Sequence, residues 1–308
     1  MHLKKVCVIT GTRAEFGQLK GLLELMSVSP FINLQVIVTG MHLSPEFGMT
    51  VKNINSEGIK IDREIEMLLS SDSAVGLSKS IGLGIIGFAD ALRELKPDII
   101  LLLGDRYEIL SAAIAAMVAK IPIAHIHGGE TTEGLIDEPI RHSITKMSHL
   151  HFVATNEYAK RVSQLGENPK TIFKVGGLGV DSLSRTKLLD KNVLEKQLGY
   201  KFLDKNLLIT FHPVTLEKET SSLQMSQLLD ALSSMEDVGL IFTMPNADTD
   251  GRVLQKQIKD FCSKKTNANF HISLGQLKYF SCMNYVDGVI GNSSSGITEA
   301  PSLKKGTV

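Results

Sequence analysis

Short apolar runs alternate with longer amphipathic stretches from one end of the chain to the other. Val6–Thr10, Leu34–Thr39, Ile99–Leu103, Ile123–Ile126, His151–Val153 and Thr171–Lys174 have the length and residue content of strands. A second series follows at Leu207–Phe211, Gly239–Phe242, Asn269–His271 and Gly288–Ile290. Between the runs, stretches such as Gln18–Ser27, Ala74–Leu95, Ile109–Ala119, Pro139–Met147 and Leu223–Met235 carry helical periodicity. Parallel strands need a crossover of about this length, so the spacing predicts βαβ units. Two series predict an α/β protein of two Rossmann-like, doubly wound domains facing a cleft. The expected domains are residues 1–175 and 176–308, with the break near Lys174–Ser184, where Val-Gly-Gly-Leu-Gly-Val-Asp supplies a glycine-rich connection. In open α/β sheets, ligands sit beyond the carboxyl ends of strands. The polar residues that follow strands are therefore the ones to examine.

Composition narrows the classes. The 308 residues are 43% hydrophobic and 21% charged, the profile of a folded protein. Lys+Arg and Asp+Glu balance at 33 each, so no global basic field attracts nucleic acid. An anionic ligand must be held by a few placed cations and helix ends. Cys7, Cys262 and Cys282 are far apart in apolar segments, which reads as buried thiols in a reducing, cytoplasmic compartment. The first strand opens almost at residue 1, which predicts no signal peptide. The longest apolar runs are interrupted too soon to predict a membrane span.

Each candidate after a strand has a chemical and a plainer reading. Gly11-Thr12-Arg13-Ala14-Glu15-Phe16-Gly17 opens a helix, where a glycine turn, a helix N-terminus and Arg13 suit an anion. A strand–helix turn with a solvated arginine fits equally. Gly104-Asp105-Arg106 puts opposite charges at a strand end, or Asp105 caps the next helix. His127-Gly128-Gly129-Glu130 leads to Asp137-Glu138-Pro139, where one carboxylate could serve only as a helix start. His125, His142, His149 and His151 lack metal-ligand spacing, so no metal is expected. In the second series, His212 and Asn246 follow strands, and Asn292-Ser293-Ser294-Ser295-Gly296 offers a phosphate nest or a serine-capped helix. G-x-S-x-G spacing is absent there, which speaks against a serine hydrolase.

Together, Gly11–Gly17, Gly104–Arg106, His127–Glu130, Arg141-His142-Ser143-Ile144-Thr145-Lys146 and Gly291–Gly296 resemble the hydrolysing UDP-N-acetylglucosamine 2-epimerases of bacterial sialic acid synthesis. The resemblance runs from the first strand to the last residues. It implies the two-domain glycosyltransferase-B architecture, no cofactor, and conversion of UDP-N-acetylglucosamine to N-acetylmannosamine plus UDP. It implies Asp105, Glu130 and Asp137 as catalytic carboxylates, with His42 and His212 as catalytic histidines. Arg13, Gly17, Arg106, Asp181, His212, Asn246, Ser293, Ser294 and Glu299 are the implied substrate contacts. It further implies a homodimer or homotetramer, with neither nucleic acid nor membrane as partner. Two relatives of that activity stay open: a nonhydrolysing epimerase, and a hydrolysing epimerase of a UDP-2,4-diacetamido-trideoxy sugar. An inactive nucleotide-binding module is a further alternative. The family continues past the equivalent of Val308 with a nucleotide-contacting arginine and a terminal helix. The chain is therefore expected to be truncated, ending on what reads as the opening of a strand at Lys304-Lys305-Gly306-Thr307-Val308.

Overall fold

The computed structural model describes residues 3–69, 71, 73–132, 134–213, 220–245 and 251–308. The chain divides into two compact units, Met1–Leu178 and Gly179–Val308.

In the first unit, β1 (Lys4–Thr10), β2 (Ile32–Thr39), β3 (Arg63–Ile65), β4 (Ile99–Leu103), β5 (Ile123–Ile126), β6 (Leu150–Val153) and β7 (Ile172–Lys174) form one sheet. Its order is β3-β2-β1-β4-β5-β6-β7, and every pairing is parallel. The order reverses between β1 and β4, where Val8 lies opposite Leu101. Such a reversal opens a crevice beyond the strand ends.

Strand alternation sorts the core into two layers. Cys7, Ile9, Ile100 and Leu102 face the helices Ala74–Leu95, Tyr107–Val118 and Asp137–Met147. Val6, Val8, Leu101 and Leu103 face Arg13–Ser27 and Val51–Ser56. Each fully buried aliphatic side chain contributes about 1.5–3 kcal/mol, so the sheet is held from both faces.

In the second unit, β8 (Lys205–Thr210), β9 (Val238–Thr243), β10 (Ala268–His271), β11 (Gly288–Gly291) and β12 (Gly306–Thr307) pair in parallel in the order β10-β9-β8-β11-β12. Its reversal lies between β8 and β11. Leu208 and Ile241 pack on one helical layer, and Ile209, Leu240 and Phe242 on the other.

The structure corrects the sequence reading in several places. β3 was not expected, because only Ile65 of Arg-Glu-Ile is buried and the strand lies at the sheet edge. β12 is the strand whose opening the last residues suggested. The segment expected as a glycine-rich connection is largely helix, Leu178–Arg185. Ala74–Leu95 is an unbroken 22-residue helix, long and apolar enough to cross a bilayer by composition, contrary to the expectation of interrupted runs. Here its Phe88, Ala91 and Leu92 are core residues of the first unit. Cys7 and Cys282 are buried and Cys262 partly so; all three are free thiols pushed up to about 12, mainly by burial.

Candidate active site

At the switch point of the first unit, the turn after β1 is closed by its own helix. Thr12 Oγ1 accepts from Glu15 N at 3.3 Å, while Glu15 Oε2 accepts from Gly11 N at 2.7 Å and Thr12 N at 3.3 Å. This capping box occupies two of the amides expected to meet an anion. Arg13, the first helical residue, carries the positive charge of the turn, its pKa lowered by burial. Gly17 is buried within the same helix.

Burial, then the neighbouring Glu108, pushes the Glu15 carboxyl up to about 8, against hydrogen bonds from Gly11 and Thr12 and the charge of Arg106. Glu108 is fully buried and accepts from Arg106 Nε at 3.3 Å. Arg106 is thereby held from behind, its guanidinium 5.3 Å from the Tyr107 ring centroid. A Cβ on Gly40, at φ +59°, would lie 2.8 Å from Glu108 Cγ, so only glycine admits this approach.

The carboxylates expected from the sequence follow β4 and β5. The N-cap of Tyr107–Val118 is Arg106, which makes no side-chain cap, so Asp105 is not spent as a cap. Asp105 instead accepts from Arg141 Nη2 and remains partly exposed. Glu130 Oε1 lies 3.4 Å from His127 Nδ1, and His127 Nε2 accepts from Leu178 N at 3.3 Å. Between them, Gly129 has φ +79°, and a Cβ there would lie 2.5 Å from Tyr158 O. The helix Asp137–Met147 has Ile136 as N-cap, again without a side-chain cap. Asp137 and Glu138 stand in its first turn, and Glu138 accepts from Thr132 N of the preceding loop at 2.5 Å.

The histidines divide by burial. His42 lies in the turn after β2, fully buried, with Nε2 3.1 Å from Thr10 Oγ1 and Nδ1 2.7 Å from Thr50 Oγ1. Burial lowers it to about 4, so it is a neutral residue bonded at both nitrogens. Both ring nitrogens of His42 thus face threonine hydroxyls in this structure. His125, fully buried, is lowered to about 3, chiefly by burial. His149 Nδ1 accepts from Ile123 N at 3.3 Å, and His151 Nε2 is 3.2 Å from Glu167. Among the described residues, no group of three His, Cys, Asp or Glu side chains could hold a metal ion.

In the second unit, the turns after β8 and β11 are locked together. His212 N donates to Asn292 Oδ1 at 2.7 Å, and Asn292 Nδ2 donates to His212 O at 2.8 Å. Ser293 and Ser294 precede a four-residue helix, and Ser294 at its N-cap makes no side-chain cap bond. Glu299 is buried, accepts from Thr298 Oγ1, and approaches Gly179 so closely that a Cβ there would lie 1.9 Å from Oε1. Thr210, Ser295 and the Tyr279 hydroxyl form a hydrogen-bonded group beneath the serine turn, and burial raises the Tyr279 pKa. Asp181 lies apart from these residues in its contacts, exposed and paired with Arg185 Nε at 3.1 Å. Asn246 falls outside the described residues.

The sequence profile of UDP-N-acetylglucosamine 2-epimerases matches residues 26–308. The chain belongs to that family. Among curated relatives, the GDP/UDP-N,N'-diacetylbacillosamine 2-epimerase (hydrolyzing) of Campylobacter jejuni is 44% identical over 99% of this chain and 79% of its own length. Polysialic acid biosynthesis protein P7 of Escherichia coli is 39% identical over 99% of this chain and 78% of its own. The UDP-N,N'-diacetylbacillosamine 2-epimerase (hydrolyzing) of Legionella pneumophila is 35% identical over 99% and 80%. The fold is shared with the UDP-GlcNAc 2-epimerase of Methanocaldococcus jannaschii solved with UDP-GlcNAc and UDP: TM-score 0.83, 19% identity, 98% of this chain and 83% of that one. The glycosyltransferase-B type of fold and membership among nucleotide-sugar 2-epimerases, expected from the motifs, are both borne out.

In this 2-epimerase family member, sequence reasoning assigned no individual role to four residues that organise the strand ends. Glu15 and Glu108 are buried acids whose local signal was the Thr-x-x-Glu capping box and the acid two places after Arg106. Arg141 is four residues after Asp137, hence on the same helix face. Asn292 was read only as part of the serine turn, because its partner is 80 residues away.

Proposed function

We propose that this chain is a hydrolysing 2-epimerase of a UDP-linked 2-acetamido sugar, releasing UDP and the sugar epimerised at C2. The observation that carries the reading is the set of carboxylates after β4 and β5. Asp105 and Glu130 are each held by a basic partner, and Asp137 stands in the first turn of the helix that follows β5. Breaking the C1–O bond creates an oxocarbenium-like centre and an anionic UDP. Carboxylates stabilise the first, while Arg13, Arg106, His212 and the serine turn stabilise the second. Loss of the C2 proton to one carboxylate gives a glycal. Water then adds at C1, and a proton returns to the opposite face of C2. Removal and return on opposite faces need two acid/base groups, and the first unit offers three. The second unit is assigned the nucleotide, through His212, Asn246, Ser293, Ser294 and Glu299.

For the substrate, relatives of 44% and 35% identity are named for GDP/UDP-N,N'-diacetylbacillosamine and UDP-N,N'-diacetylbacillosamine respectively, so this 2,4-diacetamido sugar is the first candidate. UDP-N-acetylglucosamine, on the way to sialic acid, is the second, supported by the relative named for polysialic acid biosynthesis. Turnover of both is compared by following free UDP, with the sugar product identified by NMR in heavy water. Free UDP together with C2-deuterated, C2-inverted sugar is expected. An intact UDP-sugar product without free UDP would instead make the chain a nonhydrolysing epimerase. Asp105→Asn, Glu130→Gln and Asp137→Asn should each lower kcat by about 10²-fold or more while UDP binding survives. Unchanged turnover in all three refutes the assigned chemistry.

A further inference from the structure

The helix Asp137–Met147 contributes a residue whose bonds point to one task. The Arg141 side chain is only 7% exposed, a setting in which an unpaired cation is heavily penalised. Its ionic partner is Asp105, reached through Nη2. Among the described residues, its Nε and Nη1 are buried with no hydrogen-bond partner. Its charge is directed at a single carboxylate.

A second connection reaches the same turn through the main chain. His125 Nε2 lies 2.7 Å from Gly104 O and, since a carbonyl only accepts, carries the proton there. His125 Nδ1 lies 3.1 Å from Thr145 Oγ1, which is 3.0 Å from Arg141 O. Gly104, His125, Thr145, Arg141 and Asp105 thus lie in succession across β4, β5 and the helix, the single Thr145 hydroxyl proton serving either His125 Nδ1 or Arg141 O.

We infer that Arg141 is a positioning residue: it fixes the place and orientation of the Asp105 carboxylate for the reaction at C1 and C2. The inference rests on the 2-epimerase reading. Without Arg141 the carboxylate is free to rotate about its own side chain and loses its counter-charge. Turnover should then suffer while substrate capture does not.

The test compares kcat, KM and melting temperature for the wild type, Arg141→Lys, Arg141→Met, Asp105→Asn and the Arg141→Lys/Asp105→Asn double variant. The substrate is whichever of the two UDP-sugars the wild type turns over. Lysine keeps the charge without the planar fork, so Arg141→Lys should lose about tenfold in kcat with KM within about threefold. Arg141→Met should lose about a hundredfold or more. In the Asp105→Asn background, Arg141→Lys should cost less than about threefold, because what it positions has been removed. Wild-type kcat in both single variants overturns the inference, as does a full tenfold loss repeated on Asp105→Asn. If Arg141→Met melts far below the wild type, the comparison of Arg141→Lys with and without Asp105→Asn decides the matter. Absence of any wild-type turnover overturns the 2-epimerase reading itself, and the inference falls with it.

Discussion

Glu15 makes the first unit's stability depend on pH in a direction opposite to an ordinary ion-paired carboxylate. Burial, and then Glu108, push its carboxyl up to about 8 from 4.5 in a solvated chain. Between these values the folded state keeps a proton that the unfolded state has lost. Stability is therefore full below about pH 4.5 and declines as pH rises through the window to about 8, where it levels off. Each pH unit across the window is worth about 1.4 kcal/mol, so the whole span carries on the order of 3–5 kcal/mol. Glu15→Gln removes the titration and leaves an amide oxygen able to accept from Gly11 N and Thr12 N. The variant should match the wild type near pH 5 and exceed it by roughly 2–4 kcal/mol at pH 9. Urea unfolding at pH 5, 7 and 9, with amide exchange read on the helix Arg13–Ser27, measures this. Parallel pH profiles for the two proteins, or a variant weaker at pH 9, would refute the claim that Glu15 carries an unfavourable buried charge.

Other consequences are smaller in scope. His42 and His125 are held neutral, near 4 and 3 against 6.5 in the open chain, so both disfavour folding as pH falls below 6.5. Acid titration followed by circular dichroism should show a limb opening near pH 6.5, and His42→Asn should flatten it; an unchanged limb argues against the buried neutral ring. Gly291→Ala places a Cβ 1.9 Å from Thr210 O at φ +128°, and calorimetry should record a loss of about 2–4 kcal/mol from the second unit. Asn292→Ala removes both bonds to the His212 main chain, so titration calorimetry should find UDP bound about tenfold more weakly; an unchanged Kd would detach that clamp from the nucleotide.

Much of the architecture was legible because it is written in local periodicity. Val6, Val8, Cys7 and Ile9 alternate along β1 and end up in the two core layers, as a strand covered on both faces requires. One short edge strand escaped: Arg63–Ile65 has too few apolar positions to form a pattern. At the strand ends, residue type was readable and residue state was not. Asp105 could have been a cap, and the structure makes it an ion-pair partner. The amides of Gly11 and Thr12 suited an anion, yet Glu15 from the same helix fills them. His42 was readable as a histidine after a strand, and its burial between Thr10 and Thr50 was not.

By itself, then, the sequence determined two parallel α/β units and a series of polar turns after their strands, since side-chain period and crossover length are properties of contiguous chain. The tertiary structure decided the partners: Arg141 with Asp105 across 36 residues, Asn292 with His212 across 80, and Glu108 beneath Gly40. Strand order brings these groups together, and burial then sets the charge each one carries.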